Sequence, residues 1–237
     1  MTLRRRDALK VLGAAGLGAS LRPRTLAAAP SPEGSVLILG AGFAGASLAW
    51  ALKRWAPRLA VTVVASPARY WTCPFSNTAL LKPEATDALE VRYGAFATAD
   101  APTLIRANVV ALEPEQRALV LEDGRRLTAD KLVLAPGIEF ARDAIEGYDA
   151  DAESRFPHAW EAGPGTLTLA QRLRAVPDGG LVVMTIPPNP YRCPPGPYER
   201  ASQISMYFKH HKPKSKVVIL DAKAKFSKQG LFTQAWS

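Results

Sequence analysis

Ser35-Val36-Leu37-Ile38-Leu39-Gly40-Ala41-Gly42-Phe43-Ala44-Gly45 is the stretch on which the fold turns. Its first five residues form a short unbroken apolar run, the pattern of a strand buried on both faces of a parallel sheet. That run enters a G-x-G-x-x-G directly. In such a turn Gly40 permits the tight reversal, Gly42 lets backbone approach a pyrophosphate, and Gly45 lets the next helix pack closely on the strand. A helix with Ala49 and Leu52 at core spacing follows until Pro57, and a second strand is expected over 59–64. A lone glycine fingerprint is weak, but one set between a buried strand and a helix marks a dinucleotide-binding βαβ unit. One part of the pattern is missing. The second strand should end in a carboxylate that holds the ribose hydroxyls, yet the chain reads Val64-Ala65-Ser66-Pro67. A serine hydroxyl cannot accept two hydrogen bonds from a diol as a carboxylate does.

Outward from this unit, Val109–Leu112, Arg117–Leu121, an Asp123-Gly124 turn and Arg126–Thr128 predict an antiparallel meander. Lys131-Leu132-Val133-Leu134-Ala135-Pro136-Gly137 then predicts a buried strand closing on small residues. Residues 157–176 are expected to be helical around Leu167, Leu169 and Leu173. A second βαβ is expected from a strand at Leu181–Ile186, a helix from Tyr198 to His211, and a strand at Lys216–Asp221. The fold class is therefore α/β, with two Rossmann-like dinucleotide-binding domains of which the second is incomplete. The organisation reads as an export signal at 1–29, a first nucleotide-binding domain at 34–150, a connecting helical segment at 151–177, and the second domain at 178–237.

The turn of the second unit departs from the first. It reads Pro187-Pro188-Asn189-Pro190-Tyr191-Arg192-Cys193-Pro194-Pro195-Gly196-Pro197. Six prolines remove six N–H donors and stiffen the loop, so it cannot cradle a pyrophosphate with backbone amides. A nicotinamide cofactor is not expected there. The loop instead presents Cys193 on a rigid support.

Of the net charge of +9, residues 1–29 contribute +5, from six basic side chains against Asp7 alone. The body is only mildly basic, which argues against a nucleic-acid partner. Nearly half of the residues are apolar, which excludes a disordered or fibrous chain, and no apolar run is long enough for a membrane span. Arg4-Arg5-Arg6, the weakly apolar stretch Val11–Ala19 and Ala27-Ala28-Ala29 have the three-part layout of an export peptide. Arg5-Arg6-Asp7-Ala8-Leu9-Lys10 resembles a twin-arginine signal, so the expected location is the periplasm. In an oxidising compartment the two cysteines, Cys73 and Cys193, invite one disulfide closing a loop of 120 residues, worth ~5 kcal/mol on chain entropy. Their neighbours point elsewhere.

Tyr70-Trp71-Thr72-Cys73-Pro74-Phe75-Ser76-Asn77, Leu134–Glu139, Pro157-His158-Ala159-Trp160, and above all Arg192–Gln203, Lys212–Lys216 and Phe226–Gln229 resemble the flavoprotein subunit of flavocytochrome c sulfide dehydrogenase. That family is related to the sulfide:quinone oxidoreductases. The resemblance covers 34–237 and implies FAD, with Cys73 bonded covalently to the flavin. It implies Gly40, Gly42, Gly45, Val109 and Gly137 as cofactor contacts. It also implies that Cys193 forms a redox-active disulfide with a cysteine absent from this chain, so that a Cys73–Cys193 bond is a false lead. A tethered flavin would offset the missing ribose carboxylate, although relatives carry an acidic residue where Ala65 stands. The activity implied is oxidation of sulfide to sulfur or polysulfide, with electrons passing to a c-type cytochrome subunit.

Against the relatives, this sequence stops inside the second domain, before the partner cysteine, and is expected to be an incomplete, inactive fragment. Arg192 and Arg200 flank Cys193 and would favour its thiolate, or else line a solvated surface. His158 is expected to be a structural contact, and His210-His211 are not expected to bind metal. Seven lysines between 209 and 228 form either a docking face for an acidic cytochrome patch or a solvated surface. Two other readings stay open: a sulfide:quinone oxidoreductase, and a non-catalytic exported protein that kept the flavoprotein fold.

Overall fold

Val36, Leu37 and Ile38, at the centre of the apolar run, are all buried in strand β1 (Ser35–Leu39). The structure is a computed structural model that describes residues 31–141 and 144–237. The expected export signal therefore lies outside the described residues. Glu33–Ser237 forms one unit.

Strand β1 lies inside a four-stranded parallel sheet. It pairs with β2 (Ala60–Ala65) on one side and β9 (Lys131–Leu134) on the other, and β2 pairs in turn with β5 (Thr103–Arg106). Helix α1 (Phe43–Trp55) makes the crossover from β1 to β2. Alternation along the strands divides the core into two layers. Val36, Ile38, Val61 and Val63 face α1 through Ala49, Leu48 and Leu52. Leu37 and Val64 face the opposite way, onto Leu119 and Leu121. Those leucines belong to the predicted meander, formed by β6 (Val109–Glu113), β7 (Ala118–Leu121) and β8 (Arg126–Thr128). The second strand begins one residue later than expected. The Leu59 amide donates to the Ala56 carbonyl at 2.9 Å and closes the turn, while Ala65 pairs with Arg106.

Between these strands the chain builds β3 (Arg69–Trp71), α2 (Ser76–Leu81), a 3-10 stretch (Pro83–Leu89) and β4 (Glu90–Arg92), with β3 and β4 antiparallel. After α3 (Ala150–Arg155), the expected helix over 157–176 is shorter than its periodicity predicts. Helix α4 runs from Pro164 to Ala175. Ala159 sits at φ 44° and Gly163 at φ 151°, and a residue before proline avoids helical backbone. The helix starts only where Pro164 can occupy its first turn and Thr166 Oγ1 accepts from the Gly163 amide at 3.2 Å.

Strands β10 (Leu181–Ile186) and β11 (Lys216–Asp221) form a separate two-stranded parallel sheet, joined by α5 (Gly196–His211). Helix α5 begins two residues before the expected start, because Pro197 falls in the first turn, where no amide partner is lost. Val182, Met184 and Val217 pack on Leu173, Ile204, Phe208 and Leu80. The alternate residues Leu181, Val183, Val218 and Leu220 are exposed. Helix α6 (Gln229–Trp236) returns to α5, where Trp236 Nε1 donates to Ser202 Oγ at 2.8 Å and Phe226 stacks on Tyr198 at 3.7 Å.

Candidate functional site

The glycine turn occupies the carboxyl end of β1. Gly40 has φ 98°, and a Cβ there would lie 2.1 Å from the Ala135 carbonyl oxygen. Its amide donates to Val64 at 2.8 Å. A Cβ on Gly45 would lie 1.9 Å from the Gly40 oxygen and 3.3 Å from Ile38, so the helix rests against the strand only because position 45 has no side chain. Gly42 differs, since nothing lies within 4 Å of its would-be Cβ. It caps α1 without any side-chain hydrogen bond, and the first turn carries no acidic residue. The first amides of a helix have no partner within it, so this 13-residue helix offers open donors and positive dipole to a phosphate. Gly137, at φ 90° with open space around it, follows Pro136, whose Cα would meet a Gly40 Cβ at 3.3 Å. The two glycine segments are thus brought together. Val109, at the start of β6, is half-buried against the cluster that includes Leu37, Val64, Leu119 and Leu121.

Ala65 ends β2 buried, and no carboxylate follows it. Instead Arg106, its neighbour on β5, donates to the Ser66 carbonyl at 3.0 Å. The ribose-holding acid is missing in the structure as in the sequence.

Cys73 is half-buried, and its carbonyl accepts from the Ser76 amide at 3.0 Å as α2 begins. Phe75 takes φ 68° and leaves its ring exposed. A cavity of about 500 Å³ opens between this loop and the glycine-turn helix, lined by Phe43, Thr72, Pro74, Phe75, Thr78 and Leu89 among others. The open amides of α1 and an apolar cavity beside Cys73 fit two unlike parts of a flavin dinucleotide, its central anionic pyrophosphate and its aromatic flavin ring. Cys73 and Cys193 are both free thiols.

Cys193 is exposed and holds φ 58°, a left-handed conformation that costs a non-glycine residue energy. Its carbonyl accepts from the Gly196 amide at 2.9 Å, at the start of the 16-residue α5. Beneath it the Trp160 ring lies over the Arg200 guanidinium at 5.0 Å. Arg200 is 6 % exposed, so the solvated-surface reading of this residue is wrong. Its Nε donates to Asn77 Oδ1 at 2.9 Å, and its terminal nitrogens donate to the carbonyls of His158 and, at 2.8 Å, Ala159. Burial lowers its pKa to about 10, opposed by the negative charges of Glu199 and Cys193. It falls on the apolar stripe of α5, four residues before Ile204 and eight before Phe208. That spacing was the available signal of its burial.

His158 is a structural contact. Its Nδ1 accepts from the Trp160 amide at 2.9 Å, Nε2 lies 3.1 Å from Glu153, and its ring packs on Phe140 at 4.5 Å. Two of the seven lysines are also tied down. Lys212 Nζ caps the end of α4 through the carbonyls of Leu173, Arg174 and Val176, and Lys223 Nζ bonds Asp221 at 2.6 Å and the Pro187 carbonyl at 3.1 Å. Among the described residues no cluster of three or more His, Cys, Asp or Glu side chains could hold a metal. No described helix is long and apolar enough to cross a membrane.

A carboxylate at the end of a second βαβ strand ordinarily meets a ribose. Asp221 has that place on β11, but its oxygens are occupied by the Tyr198 hydroxyl and Lys223. Burial raises the Asp221 pKa, yet the Lys223 and Tyr198 hydrogen bonds outweigh it and hold the group below its usual value. The proline loop and this engaged carboxylate together leave the second turn without a nucleotide cradle.

A doubly built βαβ frame with an open glycine turn in the first unit and a cysteine loop in the second defines an oxidoreductase of the dinucleotide-binding class. Comparison with known proteins gives the particular group. The chain belongs to the pyridine nucleotide-disulphide oxidoreductase family, whose model matches residues 34–183. Residues 166–237 match the model of the central region of the sulfide dehydrogenase [flavocytochrome c] flavoprotein chain. The chain is 45% identical over 42 residues to the sulfide dehydrogenase [flavocytochrome c] flavoprotein chain of Chlorobaculum thiosulfatiphilum, covering 18% of this chain and 88% of that one. It is 30% identical over 106 residues to the ferredoxin–NAD(+) reductase component of the p-cumate 2,3-dioxygenase system of Pseudomonas putida, covering 44% of this chain but 26% of that one. It is a flavoprotein similar to the sulfide dehydrogenase flavoprotein chain. The fold is shared with the sulfide:quinone oxidoreductase of Aquifex aeolicus (TM-score 0.61, 19% identity, 80% of this chain and 43% of that one). It is also shared with the covalent putidaredoxin reductase–putidaredoxin complex (TM-score 0.59, 19% identity, 86% and 48%). The chain therefore spans less than half the length of these solved relatives.

Proposed function

We propose that this chain is part of an FAD-dependent sulfide-oxidising enzyme that passes electrons to a c-type cytochrome, with Cys73 as the flavin tether and Cys193 as the redox sulfur. The observation that carries this reading is the second turn, where prolines replace nucleotide-binding glycines and hold Cys193 at φ 58° over the start of α5. Residues 34–150 would bind FAD, residues 151–177 connect, and residues 178–237 carry the thiol.

The chemistry asked of the chain is thiol exchange. Hydrosulfide attacks a disulfide between Cys193 and a cysteine outside this chain, so that one S–S bond forms as another breaks and one cysteine leaves as thiolate. Per sulfide, two electrons and a proton are lost and sulfur leaves zero-valent. Hydrosulfide needs no general base, which fits His158 being spent on structure. Arg200 places a buried positive charge near the sulfur, and the α5 dipole points the same way. FAD, when bound, supplies a two-electron acceptor that releases electrons singly to haem. The open amides at Gly42 and Phe43 would hold its pyrophosphate, and the apolar cavity beside Cys73 would exclude water from its ring.

Two variants test the reading. In the protein carrying the partner cysteine, Cys193→Ser should retain flavin but lose flavin reduction by sulfide, whereas Cys73→Ser should release the yellow colour on acid precipitation. Reduction of Cys193→Ser at an unchanged stopped-flow rate overturns the thiol assignment.

A further inference from the structure

We propose that Asn77, Glu199 and Arg200 form a clamp that fixes the Cys73 loop against the Cys193 loop, so that side-chain hydrogen bonds set the separation of the two sulfurs. The inference rests on the roles proposed for the two cysteines and adds how their spacing is held.

Asn77 is the second residue of α2, four positions after Cys73. Glu199 and Arg200 lie in the first turns of α5, six and seven positions after Cys193. The Asn77 carbonyl oxygen accepts from Arg200 Nε at 2.9 Å, and the Asn77 amide nitrogen donates to Glu199 Oε2 at 2.9 Å. Two adjacent residues of one helix therefore grip both ends of a single amide on another. An amide side chain accepts at its oxygen and donates at its nitrogen, so the two bonds fix its orientation here.

The grip is anchored from behind. Arg200 reaches the carbonyls of His158 and Ala159, so its planar fork ties α2, the 158–160 loop and α5 into one block. Its partners are all neutral, and among the described residues no carboxylate lies within ion-pair distance of it. A buried cation held by neutral acceptors is costly unless every bond is made. The cluster therefore has one arrangement rather than several. Lysine cannot reproduce it, because a single ammonium lacks the three-way planar geometry.

The consequence is mechanical. Position errors of about 1 Å between reacting groups can cost ~10²-fold in rate, and nothing covalent joins the two free cysteines. Asn77, Glu199 and Arg200 are positioning residues in this sense.

In the protein carrying the partner cysteine, that residue is replaced by serine, so that nitroxide labels on Cys73 and Cys193 report their separation by dipolar EPR. The protein is purified from riboflavin-starved cells, so that Cys73 carries label rather than flavin. The parent should give one narrow distance distribution. Asn77→Ala and Arg200→Lys should each shift it to longer distance and broaden it. Asn77→Asp keeps the acceptor for Arg200 but sets two carboxylates face to face, and should fall between. Samples with unchanged thermal unfolding midpoints are the ones compared, which separates loss of the clamp from loss of the fold. Distributions as narrow as the parent's in both Asn77→Ala and Arg200→Lys overturn the proposal. The measurement involves neither sulfide nor bound flavin, so failure of the functional reading would not alter its outcome.

Discussion

A methyl group at position 196 would lie 2.6 Å from the Trp160 ring and 3.1 Å from Cys193 Sγ. The Trp160 ring is pinned over Arg200 and yields poorly, whereas the exposed Cys193 side chain would have to turn away. Gly196→Ala should therefore destabilise the fold by about 1–3 kcal/mol, the usual cost of overpacking. It should also change the alkylation rate of Cys193 in a Cys73→Ser background. Equilibrium urea unfolding and iodoacetamide kinetics check both, and an unchanged pair of values would show that the sulfur does not rest on the glycine. The glycines of the first turn were legible because their spacing is a known response to a strand-helix reversal. Gly196 was not, since its reason is a tryptophan 36 positions away in the chain. Arg200 was legible as a neighbour of Cys193 but not as a buried cation, because its partners are carbonyls and an amide that no local pattern announces.

The cysteine loop is held at its far end by β11. Lys223 bonds Asp221 and the Pro187 carbonyl, and the Tyr198 hydroxyl donates to Asp221. These contacts give stability a definite pH dependence. The Asp221 carboxyl is held below its ordinary value of 3.8, so its contribution is complete above that value and is lost as pH falls through the lower folded one. Tyr198 is raised above 10.0, chiefly by burial and then by Asp221. Lys223 is raised above 10.5, since its hydrogen bond to Asp221 outweighs the cost of burial. For both, the contribution is complete below the ordinary value and is lost as pH rises beyond it. Urea midpoints from about pH 3 to about pH 11 should fall at both extremes, and Asp221→Asn should flatten the acid limb and soften the alkaline one. Superimposable profiles for the two proteins would refute the linkage. At this scale the sequence was read well wherever an element carries a regular apolar pattern, continuous in β1, which is buried on both faces, and periodic in α1, the meander and α5. It was silent on α2, β3, β4, β5 and α6, which have three to eight residues each and whose order comes from distant contacts rather than from their own periodicity. The helix over 157–176 was overextended because apolar spacing continued through a segment whose backbone is set by Gly163 and Pro164.

Charge and targeting belong to the molecule as a whole. Residues 1–29 carry +5 of the net charge of +9, and the proposed export depends on Arg5 and Arg6. Replacing both by lysine should leave the precursor in the cytoplasm, as fractionation and immunoblotting would show, whereas undiminished periplasmic accumulation would remove the twin-arginine assignment. Over the body, the two parallel sheets differ in how they are finished. The four-stranded sheet is covered on both faces, by α1 and by the meander. The sheet of β10 and β11 is covered on one face by α5, and its other face exposes Leu181, Val183, Val218 and Leu220. With two strands, each is also an edge, with a row of peptide groups turned outward. Apolar surface beside unsatisfied peptide edges is the template on which like chains stack. On the proposal that this chain is part of a longer enzyme, the same face is the seam on which the remainder of the second domain would close.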